Sequence, residues 1–163
     1  MKKEVTNKSI MCQPTPNLLV TCRDNKGNNN ALAVGFAANV SIDPPMIMIG
    51  IVPNRHSYHM IKETGCFVVN LVTKDYEKEY YYLGSHSSAN EDKISIMKIN
   101  MEKGKIVNAP LLSDCPVSIE CTVVESTMPG THELFIGKVE CVHCEEKYLN
   151  NNGDIDWAKI DLL

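Results

Sequence analysis

Arg55, His56 and Ser57 follow a proline and precede a short helical pattern, and that placement suits an anion. The first turn of a helix carries backbone N–H groups without intrahelical acceptors, at the positive end of the dipole. A guanidinium adds a planar fork of donors, and a hydroxyl adds one more. The same residues have a plainer reading, with Ser57 as an N-cap and Arg55 as a solvated charge. Residues 84–90 (Gly-Ser-His-Ser-Ser-Ala-Asn) are too polar for core and lead into Asp92 and Lys93. They read either as a solvated loop or as a second anion-binding arm, with Ser87, Ser88 and Lys93 as donors. His132 follows Gly130 and Thr131 at the start of a strand pattern. A lone histidine in such a place is usually structural.

Other chemistry is less well supported. Cys141-Val142-His143-Cys144 invites a metal reading. Side chains alternate across a strand, so Cys141 and Cys144 point to opposite faces, and no second cysteine pair stands at zinc spacing. The expectation is therefore no metal, and no redox dithiol, which belongs at a helix start. No GxGxxG or P-loop sequence is present, which disfavours a Rossmann domain or a P-loop.

The elements that must position these residues follow from pattern. Leu18 to Cys22 reads as a strand, and residues 24–30 as a turn rich in Asn and Gly. Residues 31–41 return as one partner strand whose small members are Ala31, Ala33, Gly35, Ala37 and Ala38. Small residues admit either a flat ring or a closely packed neighbour. Pro44-Pro45 marks a turn, and residues 46–52 form a continuous apolar run that suits a strand buried on both faces. Residues 58–63 read as a short helix closed by Gly65. Residues 66–72 read as a strand and 73–83 as a tyrosine-rich helix. Residues 94–108 form a helix or irregular crossing, and residues 109–112 a short strand. A half-exposed strand follows over residues 117–124, a turn at 128–130, and a returning strand over 132–144. Residues 1–13 and 155–160 read as edge segments.

The 163 residues favour one domain, spanning 1–163, with room for a real core. The net charge of −4 argues against general nucleic-acid binding, without excluding a local basic pocket. No apolar run approaches the roughly 18 residues that would span a bilayer, and the N-terminus lacks a signal-peptide core. The expectation is a cytoplasmic protein without a membrane or nucleic-acid partner. The odd count of seven cysteines reads as reduced thiols. Short strands, hairpin turns and two or three short helices make a mainly β, antiparallel barrel.

Four stretches in order resemble the flavin reductase-like family, the FMN-binding split β-barrels that include flavoredoxins. The first is Asn39-Val40-Ser41-Ile42-Asp43-Pro44-Pro45, followed by an apolar strand and Arg55-His56-Ser57. The second is Gly65-Cys66-Phe67-Val68-Val69-Asn70. The third is the serine loop with Asp92 and Lys93, and the fourth runs Gly130-Thr131-His132-Glu133-Leu134-Phe135-Ile136-Gly137-Lys138-Val139. The resemblance covers residues 14–142 and implies a split barrel, a homodimer with flavin near the subunit interface, and FMN as cofactor. It implies NAD(P)H as a reductant, or electrons from a redox-protein partner, with a flavin acceptor downstream. It places the isoalloxazine on the backbone of Phe36, Ala37, Ala38, Asn39 and Ser41. Asn30 and His132 then bond its edge or the ribityl chain, and Arg55, Ser57, Ser87, Ser88 and Lys93 bind phosphate. His132 becomes the residue closest to catalysis, beside the flavin ring or the nicotinamide. Two departures stand out: Phe36 where many relatives carry tryptophan, and a last residue, Leu163, where relatives continue into an aromatic-bearing tail.

Overall fold

The structure is a computed structural model describing residues 1–163. Strands β1 (Leu18–Arg23), β2 (Asn29–Val34), β3 (Ala37–Ile42) and β4 (Pro45–Ile51) come first. Helix α1 (His56–Thr64), strand β5 (Cys66–Leu71) and helix α2 (Glu77–Ser85) follow, the last entered through a 3-10 turn at Lys74–Tyr76. A one-turn helix α3 (Lys93–Ile96) precedes short strands β6 (Met101–Lys103) and β7 (Pro110–Leu112). The long hairpin of β8 (Val117–Thr127) and β9 (Glu133–Cys144) closes the sequence of strands.

Seven strands form one antiparallel sheet in the order β2-β1-β5-β8-β9-β4-β3. Its two edge strands, β2 and β3, are consecutive in sequence and joined by Gly35 and Phe36 alone. A two-residue link between the outermost strands forces the sheet to curl upon itself. No ladder pairs β2 with β3, so the barrel is split, as expected. The one strand expected over residues 31–41 is thus two, because the chain must turn from one edge to the other at Gly35.

The barrel interior holds Val20, Leu32, Ile49, Ile51, Phe67, Val69 and Phe135, capped by Tyr58, Met60 and Ile61 of α1. Burying each such side chain stabilises the fold by about 1.5–3 kcal/mol. Helix α2 packs outside, where Tyr76, Tyr80 and Leu83 meet Leu19 and Ala31. The strands buried on both faces are β1 and β5, whereas Met46 and Met48 of β4 are half-exposed, so that reading moves from β4 to its neighbours. Ala33 lies against α2, where a Cβ on Gly84 would fall 2.8 Å from the Ala33 Cβ. Close helix packing therefore accounts for Ala31 and Ala33. Residues 1–13 form no strand, and 155–160 form a 3-10 turn (Trp157–Lys159) with one isolated bridge at Ile155. No helix is long and apolar enough to cross a membrane.

Candidate functional site

Helix α1 is bounded by Arg55 before it and Gly65 after it, whose φ of 66° suits glycine and whose N–H closes the last turn on Ile61. Ser57 is not the N-cap: Arg55 holds that position, and no side chain caps the helix. Ser57 instead lies buried in the first turn, where its Oγ accepts from Asn30 Nδ2 at 2.7 Å. Asn30 Oδ1 in turn accepts from Ser88 Oγ at 2.6 Å. A buried amide on β2 thereby ties the start of α1 to the serine loop.

Asn30, Arg55, His56, Ser57, His86, Ser87, Ser88 and Lys93 line one small cavity. The first backbone N–H groups of α1 have no helical acceptor there. Lys93 is the unusual member, a lysine with 2% of its surface exposed. Its Nζ donates to the carbonyls of Leu83 (2.8 Å) and His86 (2.9 Å) near the end of α2. No carboxylate pairs with it, and none pairs with Arg55. Burial, and then the neighbouring Arg55 cation, push the Lys93 ammonium down to about 8. Two cations face one cavity with no anion of the protein between them.

A second cavity adjoins the first, with Arg55 lining both. It is a groove walled by Leu32, Val34, Gly35 and Phe36 on one side and by Gly50, Ile51 and His132 on the other. The Phe36 and His132 rings stand 4.6 Å apart, tilted by 52°. Gly50 permits this: a Cβ there would lie 3.1 Å from Phe36 Cβ and 3.2 Å from Leu134 Cδ2. Thr131 Oγ1 meets His132 Nδ1 at 2.9 Å.

Behind His132, the buried Glu133 anchors the start of β9. Its carboxylate accepts from the Tyr58 hydroxyl, from Ser126 Oγ at 2.7 Å and from Lys62 Nζ at 3.0 Å. Tyr58 and then Ser126 hold the carboxyl down to about 2, against the cost of burial and with help from Lys62.

The sequence-predicted residues thus divide. Asn30, Arg55, Ser57, Ser87, Ser88 and Lys93 meet in one cavity, and Phe36, Arg55 and His132 in the adjoining groove. Ala37, Ala38, Asn39 and Ser41 line neither. They lie on β3, an edge strand that leaves one row of backbone groups unpaired. Sequence reasoning missed the Leu83 and His86 carbonyls, since main-chain acceptors leave no mark in a sequence. It also missed Glu133, which the strand period could have revealed: an acid at the same inward register as Phe135.

Residues 10–158 match the family model described as "Flavin reductase like domain". Among solved structures, flavoredoxin from Methanosarcina acetivorans is 29% identical, with a TM-score of 0.91 over 100% of this chain and 86% of that one. Flavoredoxin of Desulfovibrio vulgaris (Miyazaki F) is 28% identical, with a TM-score of 0.90 over 98% and 85%. An NADH-dependent flavin reductase of Rhodococcus sp is 28% identical over 119 residues, covering 73% of this chain. The match spans 62% of that enzyme's length.

Proposed function

The chain belongs to the flavin reductase-like family, and from that premise we propose that it is an FMN-binding oxidoreductase of the flavin reductase or flavoredoxin type. It passes hydride or electrons from NAD(P)H or a redox partner, through flavin, to an acceptor. The observation that carries the reading is the buried Lys93 beside Arg55, two cations that lack a protein counter-anion. A phosphate dianion at the first turn of α1 supplies that anion. Lys93 also ends α2 by bonding its carbonyls, but that role alone does not explain a second cation at the same cavity.

Bound FMN would supply the hydride and electron chemistry. The chain's own residues bind and orient. Arg55 and Lys93 neutralise phosphate, while Ser57 and Ser88, fixed through Asn30, set the shape of the cavity. Phe36 and His132 wall the groove, where an imidazole N–H would be a donor to negative charge on bound flavin. Glu133 positions His132 by fixing the next residue of β9. The proposal includes a homodimer, supported by the exposed apolar residues Val40 and Ile42 on edge strand β3.

Anaerobic stopped-flow mixing of the FMN-loaded protein with NADH and with NADPH tests the reading. Bleaching of the flavin band is the expected outcome. A flavin band that bleaches with neither nucleotide, yet does so with a protein reductant, would make the chain a noncatalytic electron carrier. A protein that takes up no FMN would be a flavin-free binding module. Replacing His132 by Ala should slow reduction more than it weakens FMN, and unchanged kinetics would remove His132 from the site.

A further inference from the structure

On the hairpin of β8 and β9 a second cluster stands apart from both cavities described above. Cys141 and His143 are two residues apart on β9 and share a face, while Cys144 turns to the other. Opposite Cys141, across the ladder, stands Glu120 of β8. The sequence motif therefore misleads about partners: the third donor comes from the neighbouring strand, not from Cys144. One ligand atom from each of Glu120, Cys141 and His143 lies within 4.8 Å of the other two.

Glu120 is fully buried, and its carboxylate is held by four donors. The backbone N–H groups of Lys105 (2.8 Å), Ile106 (2.8 Å) and Val107 (2.7 Å) point at it, and His143 Nε2 lies 2.6 Å from Oε1. Burial pushes this carboxyl up. The Val107 N–H, His143 and the other two N–H groups outweigh burial and keep it below the usual carboxylate range. Three of the four donors are main chain and would stay in place if His143 turned. They form the kind of outer shell that fixes a metal-ligating carboxylate.

We propose that Glu120, Cys141 and His143 form a binding site for Zn2+, with three protein ligands and a fourth position open to solvent. One thiolate, one imidazole and one carboxylate are a borderline donor set that fits zinc and disfavours Mg2+ and Ca2+, which demand oxygen. Cys141 and His143 are half-exposed, which gives the ion a way in. At present a hydrogen bond joins His143 Nε2 and Glu120 Oε1. Zinc replaces it, and the nitrogen and oxygen separate to roughly 3.3 Å, the spacing of two tetrahedral ligands about 2.0–2.1 Å from the ion. The ladder has a bulge between Glu120 and Cys121, where strands yield. The imidazole keeps its single N–H on the other ring nitrogen, and because a zinc-bound cysteine is a thiolate, affinity rises with pH. None of the three residues lines the groove or the cation cavity.

Calorimetric titration of the reduced, FMN-loaded protein with Zn2+ tests the site, with Co2+ difference spectra as a second readout. One equivalent of Zn2+ per chain is expected, together with a thiolate-to-cobalt charge-transfer band that Zn2+ abolishes. C141S should remove that band, and H143A should weaken Zn2+ by at least about 100-fold, more than loss of an outer-shell partner costs. C144S and C12S should leave both signals intact. Absence of binding would overturn the proposal. So would a band that survives C141S, an affinity unchanged in H143A, or equal loss in C144S. The readouts are independent of flavin reduction, so a failed function reading would not decide this site.

Discussion

Two charges are buried, one next to His132 of the groove and one in the cavity that adjoins it, and they are opposite in more than sign. Glu133, 5% exposed, receives a phenol, a serine hydroxyl and an ammonium. Its charged form is more stable in the folded protein than in water. Lys93, 2% exposed, receives two carbonyls and a neighbouring cation. Its charged form is less stable folded than in water. At these two positions the charge that meets a counter-ion serves the frame, whereas the one without a counter-ion marks a place for a ligand. Glu133 belongs to the frame that holds β9 against α1, and Lys93 belongs to the site.

Removing each charge in turn should sharpen the contrast between them. The largest effect is expected at Glu133. Glu133→Gln takes the ionised acceptor from the Tyr58 and Ser126 hydroxyls and should cost about 2 kcal/mol in urea unfolding, while the ratio of FMN to riboflavin affinity stays unchanged. A loss below about 1 kcal/mol would mean that the network is ornamental. Lys93→Met should do the reverse. It removes a desolvated cation, so the free protein should lose less than about 1 kcal/mol. FMN should weaken by about 10- to 100-fold, the worth of a charge-assisted bond, with riboflavin little affected. Equal losses for both ligands would show that Lys93 does not touch phosphate. Arg55→Ala, at an exposed position, should leave stability within about 0.5 kcal/mol and weaken FMN selectively by about 10-fold.

The pH response separates the two charges again. Lys93 falls from 10.5 to about 8 on folding, so its penalty is fully present below pH 8 and disappears as pH rises toward 10.5. A bound anion offsets that penalty. The rise in Tm produced by FMN should therefore shrink between pH 8 and 10, and in Lys93→Met it should shrink less. Glu133 falls from 4.5 to about 2, so its stabilisation is present above 4.5 and is lost as pH falls toward 2. The Tm gap between wild type and Glu133→Gln should be constant from pH 5 to 7 and close in acid.

Much of this was legible in the sequence. Apolar runs and turn residues located β1, β4, α1 and β5, since burial and backbone sterics act locally there. Arg55, the serine loop and Lys93 were legible as donors because polar residues without core character need a reason. The split of residues 31–41 into β2 and β3 was not, because it follows from where the sheet edges lie in space. Ser57 illustrates the same limit. Its position before a helix predicts a cap, but the buried Asn30 on a distant strand claims its hydroxyl instead. The acceptors of Lys93 are main-chain carbonyls of Leu83 and His86, which any residue type could provide. Phe36 and His132 were each visible, yet their contact depends on Gly50 lying beneath them.

The central claim is that the cavity of Lys93 and Arg55 receives a phosphate dianion. Calorimetric titration of the flavin-free protein at pH 7 with FMN and then with riboflavin tests it most directly. FMN should bind at least about 100-fold more tightly, since two charge-assisted contacts distinguish the ligands. Equal affinities would contradict the account.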